Sequence, residues 1–178
     1  TAVPNRLNWE LTLITLVDRN LGIQPGGSLF SAYTNKETFD WFLNEFIQLI
    51  KGRTEVTLIT DEDLAISSSI ISQNNDADES QPRIIHVLCA WHKTMNFEKK
   101  LTKCNFNDDD KEAIKLLWKR ICYSPKKEVV ISCIDEIKKY DCYKLNHYLE
   151  KHVVPLLSKF SRAFIPVFTA GYNVTSLS

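Results

Sequence analysis

The sequence predicts a mixed α/β fold followed by a segment that contains only helices. Short β-rich runs alternate with helical stripes as far as residue 104, and beyond it the apolar residues recur at helical spacing alone. The apolar content of 44% with only five glycines is typical of a packed globular protein. A chain of 178 residues is long enough for one domain with a full core, or for part of a larger domain.

The first elements are predicted to form an antiparallel hairpin. Residues 9–17 (WELTLITLV) are β-rich with partial alternation, and residues 28–33 form a second β-rich run. The cluster Gln-Pro-Gly-Gly at 24–27, which lies between the two runs, is typical of a turn.

A helix is predicted next, capped by Thr34 or Asn35 and ended by Gly52. Its apolar residues recur every three or four positions, which predicts one buried stripe: Phe39, Phe42, Leu43, Phe46, Ile47 and Ile50. Two buried strands follow, each with a helix after it. The strands are predicted at 55–60 and 83–88, the helices at 64–72 and 89–103, and a polar surface loop at 74–81.

Three more helices are predicted beyond residue 104. Asn107 and the three aspartates after it form a strong helix start, since a cap and acidic residues suit the positive end of the helix dipole. The others are expected at 124–140 and at 141–160, with a bend at Pro155. Residues 97–178 hold 15 Lys/Arg against 10 Asp/Glu, whereas the preceding residues hold 7 against 12. This basic region suits phosphate contact or ordinary solvated helix surface.

The cysteines and the apolar runs indicate the cellular compartment in which the protein is expected. The five cysteines are odd in number and form no disulfide-like framework, so reduced intracellular thiols are expected. No apolar run reaches the roughly 20 residues that span a bilayer, so no membrane partner is expected.

Two features are candidates for chemistry. Asp61 follows a buried strand, where α/β sheets place active groups, although a carboxylate there can also serve only as a helix cap. Cys89 and His92 lie three residues apart on a predicted helix and could ligate zinc, or they could serve in packing. The further candidate ligands are poorly spaced for a zinc site: Cys104, His147 and His152.

Two segments resemble elements of the Mutator-like (MULE) transposases. Residues 56–66 (VTLITDEDLAI) are similar to the family's apolar strand with T-D and an A-I helix. Residues 84–96 (IIHVLCAWHKTMN) resemble its pattern H-x-L-C-x-W-H-x-x-x-N. Residues 30–46 and 164–176 are similar to two further stretches, E-x-x-x-x-W-x-L-x-x-F and the approach to T-S/T-x-x-E-S-x-N. The order and spacing of the first two make the resemblance specific.

The resemblance implies a ribonuclease H-like mixed sheet flanked by helices, with an all-helical insertion after the fourth strand and without the first core strand. It implies a DDE-type transposase, in which two aspartates and a glutamate hold two Mg²⁺ or Mn²⁺ ions for DNA cleavage and strand transfer. Asp61 maps to the second metal-binding aspartate. Cys89 and His92 occupy the family's Cys-x-x-His element, as packing support and as a DNA-contacting or acid-positioning residue. The residues expected to bind DNA are Lys93, Asn96, Lys99, Lys100 and Lys103.

The same mapping divides the chain into a partial core (1–104), a helical insertion (105–160) and a return segment (161–178) that leads to the helix of the catalytic glutamate. Thr1 and Asn5 match the pattern D-x-T-x-x-x-N, which puts the first aspartate two positions before Thr1. The glutamate would directly follow Ser178. The chain is therefore expected to be a segment of a transposase that is inactive by itself.

Three functions are compatible with these observations. The first is a nuclear transposase core that acts on terminal inverted repeats and target DNA, as a homo-oligomer in a transpososome. The second is a domesticated nuclear protein that binds DNA or regulates without catalysis. The third is an unrelated α/β interaction or zinc-binding module.

Overall fold

The computed structural model describes residues 10–17, 23–50, 52–78 and 81–165, and the predictions made for the other residues lie outside this part of the chain. The described residues form a mixed α/β protein, as the sequence predicts. They divide between two compact units, the first within 1–58 and 63–85 and the second within 59–62 and 86–178. None of the helices in the described ranges is both long and apolar enough to cross a membrane.

Strands β1 (Glu10–Val17) and β2 (Ile23–Ser31) pair antiparallel in the first unit, which confirms the hairpin. The turn predicted at 24–27 is wrong, because these residues belong to β2. Gly27 lies opposite Ile14 and Pro25 lies opposite Thr15, so the register shifts by one residue. Gly26 is the extra residue of this bulge, which lets the strand continue through a sequence that locally favours a turn.

Helix α1 (Lys36–Leu49) begins at a predicted cap and buries the predicted stripe from Phe39 to Ile47, whereas Ile50 follows the helix and is half-buried. The side-chain oxygen of Asn35 accepts a hydrogen bond from the Thr38 backbone N–H at 3.0 Å. The stripe packs in two small clusters of the first unit, one with β1 and β2 residues and the other with α2 and β4 residues.

Helix α2 (Leu64–Asp76) is longer than the sequence predicts and extends into the expected loop. The side chain of Asn74 explains the difference. It donates to the Ile84 carbonyl and accepts from the Ile84 N–H, both at 2.8 Å. A polar residue that favours a loop by its local chemistry is thus held in the helix by a partner distant in sequence.

Strands β3 (Glu55–Thr60) and β4 (Arg83–Leu88) form the second sheet and match their predicted bounds. The Arg83 N–H donates to the Thr54 carbonyl at 2.9 Å, and the Cys89 N–H donates to the Thr60 carbonyl at 2.6 Å. In both bonds the donor residue lies 29 positions after the acceptor residue. Because this offset is the same at the two ends of the pair, the strands run parallel. Helix α2 provides the crossover that parallel strands require. The described residues thus contain two separate two-stranded sheets, and the single mixed sheet implied by the family resemblance stays a prediction.

The remaining elements are helical, as predicted. Helix α3 spans Ala90–Leu101, and Asn107 caps α4 (Asp108–Tyr123) by accepting from the Asp110 N–H at 2.7 Å. The others are α5 (Lys127–Lys138), α6 (Tyr143–Tyr148), a π-helical turn (Leu149–Val153), a 3-10 turn (Val154–Leu156) and α7 (Leu157–Phe160). The prediction of one helix over 141–160 with a bend at Pro155 is therefore only partly confirmed: the segment is helical but divided, and Pro155 lies in the 3-10 turn.

Helices α3 to α7 share one large apolar core in the second unit. Trp118 lies at its centre, 1% exposed, with its ring stacked on Phe97 at a centroid distance of 4.1 Å. The core also contains a disulfide between Cys104 and Cys142. The expectation of five reduced cysteines is therefore wrong for this pair, because folding brings two residues 38 positions apart into contact. Cys89, Cys122 and Cys133 are buried, and burial raises the pKa of the Cys122 thiol to about 12.

Candidate active site at the end of strand β3

Asp61 lies directly after β3, at the edge of the sheet where the carboxyl ends of β3 and β4 meet. The hydrogen bond from the Cys89 N–H to the Thr60 carbonyl fixes this juxtaposition within the second unit. The Asp61 side chain is exposed, and no hydrogen bond or ion pair joins it to another of the described residues. Its carboxylate is therefore accessible to a ligand.

The helix-cap alternative for Asp61 is wrong. The cap of α2 is Asp63, whose carboxylate oxygen accepts from the Ala65 N–H at 2.7 Å and from the Ile66 N–H at 3.1 Å. Because α2 begins two residues later than the alternative requires, its unpaired N–H groups do not need Asp61.

Thr60 and His86 form a polar contact beside Asp61. The Thr60 hydroxyl lies 2.8 Å from His86 Nε2 and donates to the Asp61 carbonyl at 2.7 Å, so His86 Nε2–H donates to Thr60. His86 Nδ1 is buried and has no hydrogen-bond partner among the described residues. Burial, and to a smaller extent the positive charge of Lys159, lower the pKa of His86 to about 4. The imidazole is consequently neutral at pH 7.

Cys89 and His92 are brought to the same edge, at the start of α3. Cys89 is fully buried in the N-cap position, and His92 is half-buried with its ring edge-on to Trp91 at 4.7 Å. Cys104, a candidate third zinc ligand, is engaged in the disulfide. Within the described ranges, no group of three or more His, Cys, Asp or Glu residues could hold a metal ion.

The residues expected to bind DNA separate into two groups. Lys99, Lys100 and Lys103 are exposed at the carboxyl end of α3, and Asn96 is half-buried. Lys93 is fully buried. Its ammonium donates to both carboxylate oxygens of Glu62, at 3.0 and 3.1 Å, and to the His152 carbonyl at 2.9 Å. In this conformation Lys93 does not reach the surface where a phosphate would bind.

Sequence reasoning missed the roles of Lys93, Glu62 and His86, although one signal was present. Lys93 falls on the buried stripe of α3, whose other members are Ala90, Phe97 and Leu101. A lysine at a core position of a helical stripe indicates a buried charge with a partner, because an unpaired ammonium is too costly to bury. Nothing in the local sequence identifies Glu62 as that partner.

A family model, the MULE transposase domain, matches residues 3–96, which is more than half of the chain. The chain belongs to the MULE transposase family. The match includes Asp61, Cys89, His92 and Lys93 and ends before α4, so the large helical core of the MULE chain lies mostly outside it. Comparison with curated proteins and with solved structures gave no significant match.

The donor set decides how far this site fits the two metal ions that the family resemblance implies. Asp61 is a hard oxygen donor of the kind that Mg²⁺ and Mn²⁺ prefer, and it is accessible. Glu62 is engaged by Lys93, and Asp63 caps α2. The described residues therefore do not by themselves form a two-metal site, and Asp61 is the one carboxylate of the 61–63 run left for a ligand.

Proposed function

We propose that this MULE domain serves as part of a ribonuclease H-like DDE transposase core, in which Asp61 is a metal-binding carboxylate needed for DNA cleavage and strand transfer. One observation carries the proposal. In a run of three consecutive acids, the first is exposed at the strand end while the other two have structural partners. A carboxylate that is placed by its neighbours and left accessible is suited to ligand binding. The remaining acidic ligands would come from outside the described ranges.

The proposed substrates are two kinds of DNA, the terminal repeats of a transposon and the target DNA. The proposed cellular compartment is the nucleus. The exposed lysines at the end of α3, Lys99, Lys100 and Lys103, support contact with phosphates. His92 lies half-buried near the same edge and is proposed to contact DNA or to orient an acid, with Cys89 as packing support. Assembly into a homo-oligomer is part of the proposal because strand transfer joins two ends to one target.

The test is a DNA-cleavage assay with a protein that contains this chain together with any sequence encoded with it. The substrate is DNA that carries transposon ends, and cleavage should depend on Mg²⁺ or Mn²⁺. Because metal ions contribute several kcal/mol to such a reaction, Asp61→Asn should lower the cleavage rate at least about 100-fold. DNA affinity should change little. Asp63→Asn is the matched control, since it alters a neighbouring acid that acts as a cap. Cleavage by Asp61→Asn at the wild-type rate would contradict the proposal.

A second candidate is a MULE-derived nuclear protein that binds DNA without catalysis. The absence of a three-ligand metal group within the described residues favours it. The two candidates give different results with the wild-type protein. The first requires cleavage that chelation of divalent ions abolishes, whereas the second requires DNA binding that is indifferent to chelation and to Asp61→Asn.

A further inference from the structure

The buried Lys93 is the most unusual group of the second unit. Its side chain is 1% exposed, whereas that of its partner Glu62 is 28% exposed. The ammonium has three N–H donors, and the three acceptor atoms within 3.1 Å, two on Glu62 and one on His152, match them. The rings of Tyr148 and Phe160 lie next to it, with centroids 5.9 and 5.4 Å from Nζ. Each donor of the buried Lys93 ammonium thus has an acceptor.

Such a pair needs an explanation other than stability. Two charges removed from water lose hydration, and a well-packed apolar side chain of similar volume often stabilises a core equally well or better. Methionine would continue the stripe of α3 without this loss. Methionine could not hold Glu62 in one position, because it has no N–H to donate to the two carboxylate oxygens that the Lys93 ammonium now binds.

The restraint on Glu62 matters because Glu62 is the neighbour of Asp61 in the sequence. Glu62 directly follows Asp61, and Thr60 directly precedes Asp61. The Thr60 hydroxyl is hydrogen-bonded to His86, and the Thr60 carbonyl accepts from the Cys89 N–H. The short segment that carries Asp61 is therefore held on both sides by hydrogen bonds and an ion pair, while the Asp61 side chain itself stays accessible. Lys93 also links this segment to the π-helical turn through the His152 carbonyl. Ligands are held more tightly when the group that binds them is placed in advance.

We propose that Lys93 is a positioning residue: through Glu62 it holds the Asp61 segment against the helical core, so that the Asp61 carboxylate is presented in one orientation. The proposal replaces DNA binding as the role of Lys93. Its significance for cleavage rests on the proposed function of Asp61, whereas the restraint on the segment can be measured without any cleavage.

Amide hydrogen exchange in the chain measures the restraint. The reporter is the Cys89 N–H, which is bonded to the Thr60 carbonyl beside Asp61. In Lys93→Met and in Glu62→Gln, this amide should exchange about tenfold faster than in the wild type, because the strand ends open more often. Amides in the centre of α4, such as that of Leu117, should keep their rates to within about twofold. In the double variant the Cys89 amide should exchange no faster than in the faster of the two single variants, because both substitutions remove the same ion pair.

Lys100→Met is the matched control. Lys100 lies on the same helix, is exposed, and also places its ammonium over the Tyr148 ring, at 5.7 Å. It should leave Cys89 exchange unchanged. Wild-type exchange of Cys89 in both Lys93→Met and Glu62→Gln would overturn the proposal, and so would acceleration that is uniform over the second unit. If Lys93→Met does not fold, Glu62→Gln decides the matter by the same criteria, because its side chain is partly exposed.

A DNA-binding assay separates positioning from phosphate contact. With a short mixed-sequence duplex, Lys93→Met should keep the wild-type affinity and salt dependence, whereas Lys100→Met should reduce the salt slope by about one. A reduced salt slope in Lys93→Met would contradict the proposal. In a protein that cleaves DNA, Lys93→Met should lower the cleavage rate without weakening DNA binding. If Asp61→Asn cleaves normally, the proposed function fails, while the exchange result still decides the role of Lys93.

Discussion

The helical core and the strand-end site of the second unit are built from opposite kinds of interaction. The core is apolar and contains Trp118, which stacks on Phe97 and Phe160. The site is polar, and its segment is held by the Lys93–Glu62 pair and the His86–Thr60 contact. Apolar burial is strong but without direction, whereas hydrogen bonds and ion pairs are weaker in net stability and fix orientation. The stability of the second unit therefore resides in the helical core, and the placement of Asp61 resides in the polar contacts.

The largest expected effect is on the core. Trp118→Ala should lower the free energy of unfolding of the second unit by about 3–5 kcal/mol, because it leaves a cavity and removes the stacked rings. It also leaves the Thr94 hydroxyl without the indole N–H that now donates to it at 2.9 Å. Denaturant unfolding measures the loss. The control Leu116→Ala, on the exposed face of the same helix, should change stability little. Equal losses in the two variants would refute the central role of Trp118.

A smaller effect is expected at the site, and it depends on pH. His86 is neutral in the folded chain down to about pH 4, whereas in the unfolded chain it takes up a proton near its ordinary pKa of 6.5. Its contribution is therefore fully present above pH 6.5 and is lost as the pH falls toward 4. After allowance for screening of this partly exposed group, the loss is roughly 2 kcal/mol.

Unfolding of the wild type and of His86→Asn at a series of pH values tests this effect. Asparagine does not titrate, so the difference between the two curves isolates His86 from the carboxylates. His147→Asn, at an exposed position, serves as the control. Parallel curves for the wild type and His86→Asn between pH 6.5 and 4 would show that the imidazole is not buried in the neutral form.

The smallest effect concerns a helix end in the core region. Asn107→Ala removes the cap of α4 and should lower the free energy of unfolding by about 1 kcal/mol, because the Asp110 N–H loses its acceptor. The exchange of the Cys89 amide relative to core amides should not change. Asn105→Ala, two residues earlier in an exposed position, should be neutral. A specific acceleration at Cys89 in Asn107→Ala would show that the core and the site are not separable in this way.

The sequence by itself determined the features that depend on neighbours along the chain. The cap Asn107, a cap of α1 at Thr34 or Asn35, the buried stripe of α1 and the strand before Asp61 all follow from spacing and local hydrogen-bonding chemistry. The family signature also lies in the sequence, because residues 56–66 and 84–96 keep their order and spacing whatever their packing.

Only the tertiary structure decided which polar residue serves which purpose. Asn74 stays helical because it meets Ile84, and Cys104 meets Cys142 across 38 residues. Among the three acids 61–63, the structure gives Glu62 to Lys93 and Asp63 to the helix cap, and leaves Asp61 accessible. The physical reason is the same throughout. The protonation, pairing and accessibility of a polar group depend on the atoms that folding brings within about 3 Å, and residues distant in the sequence supply most of these.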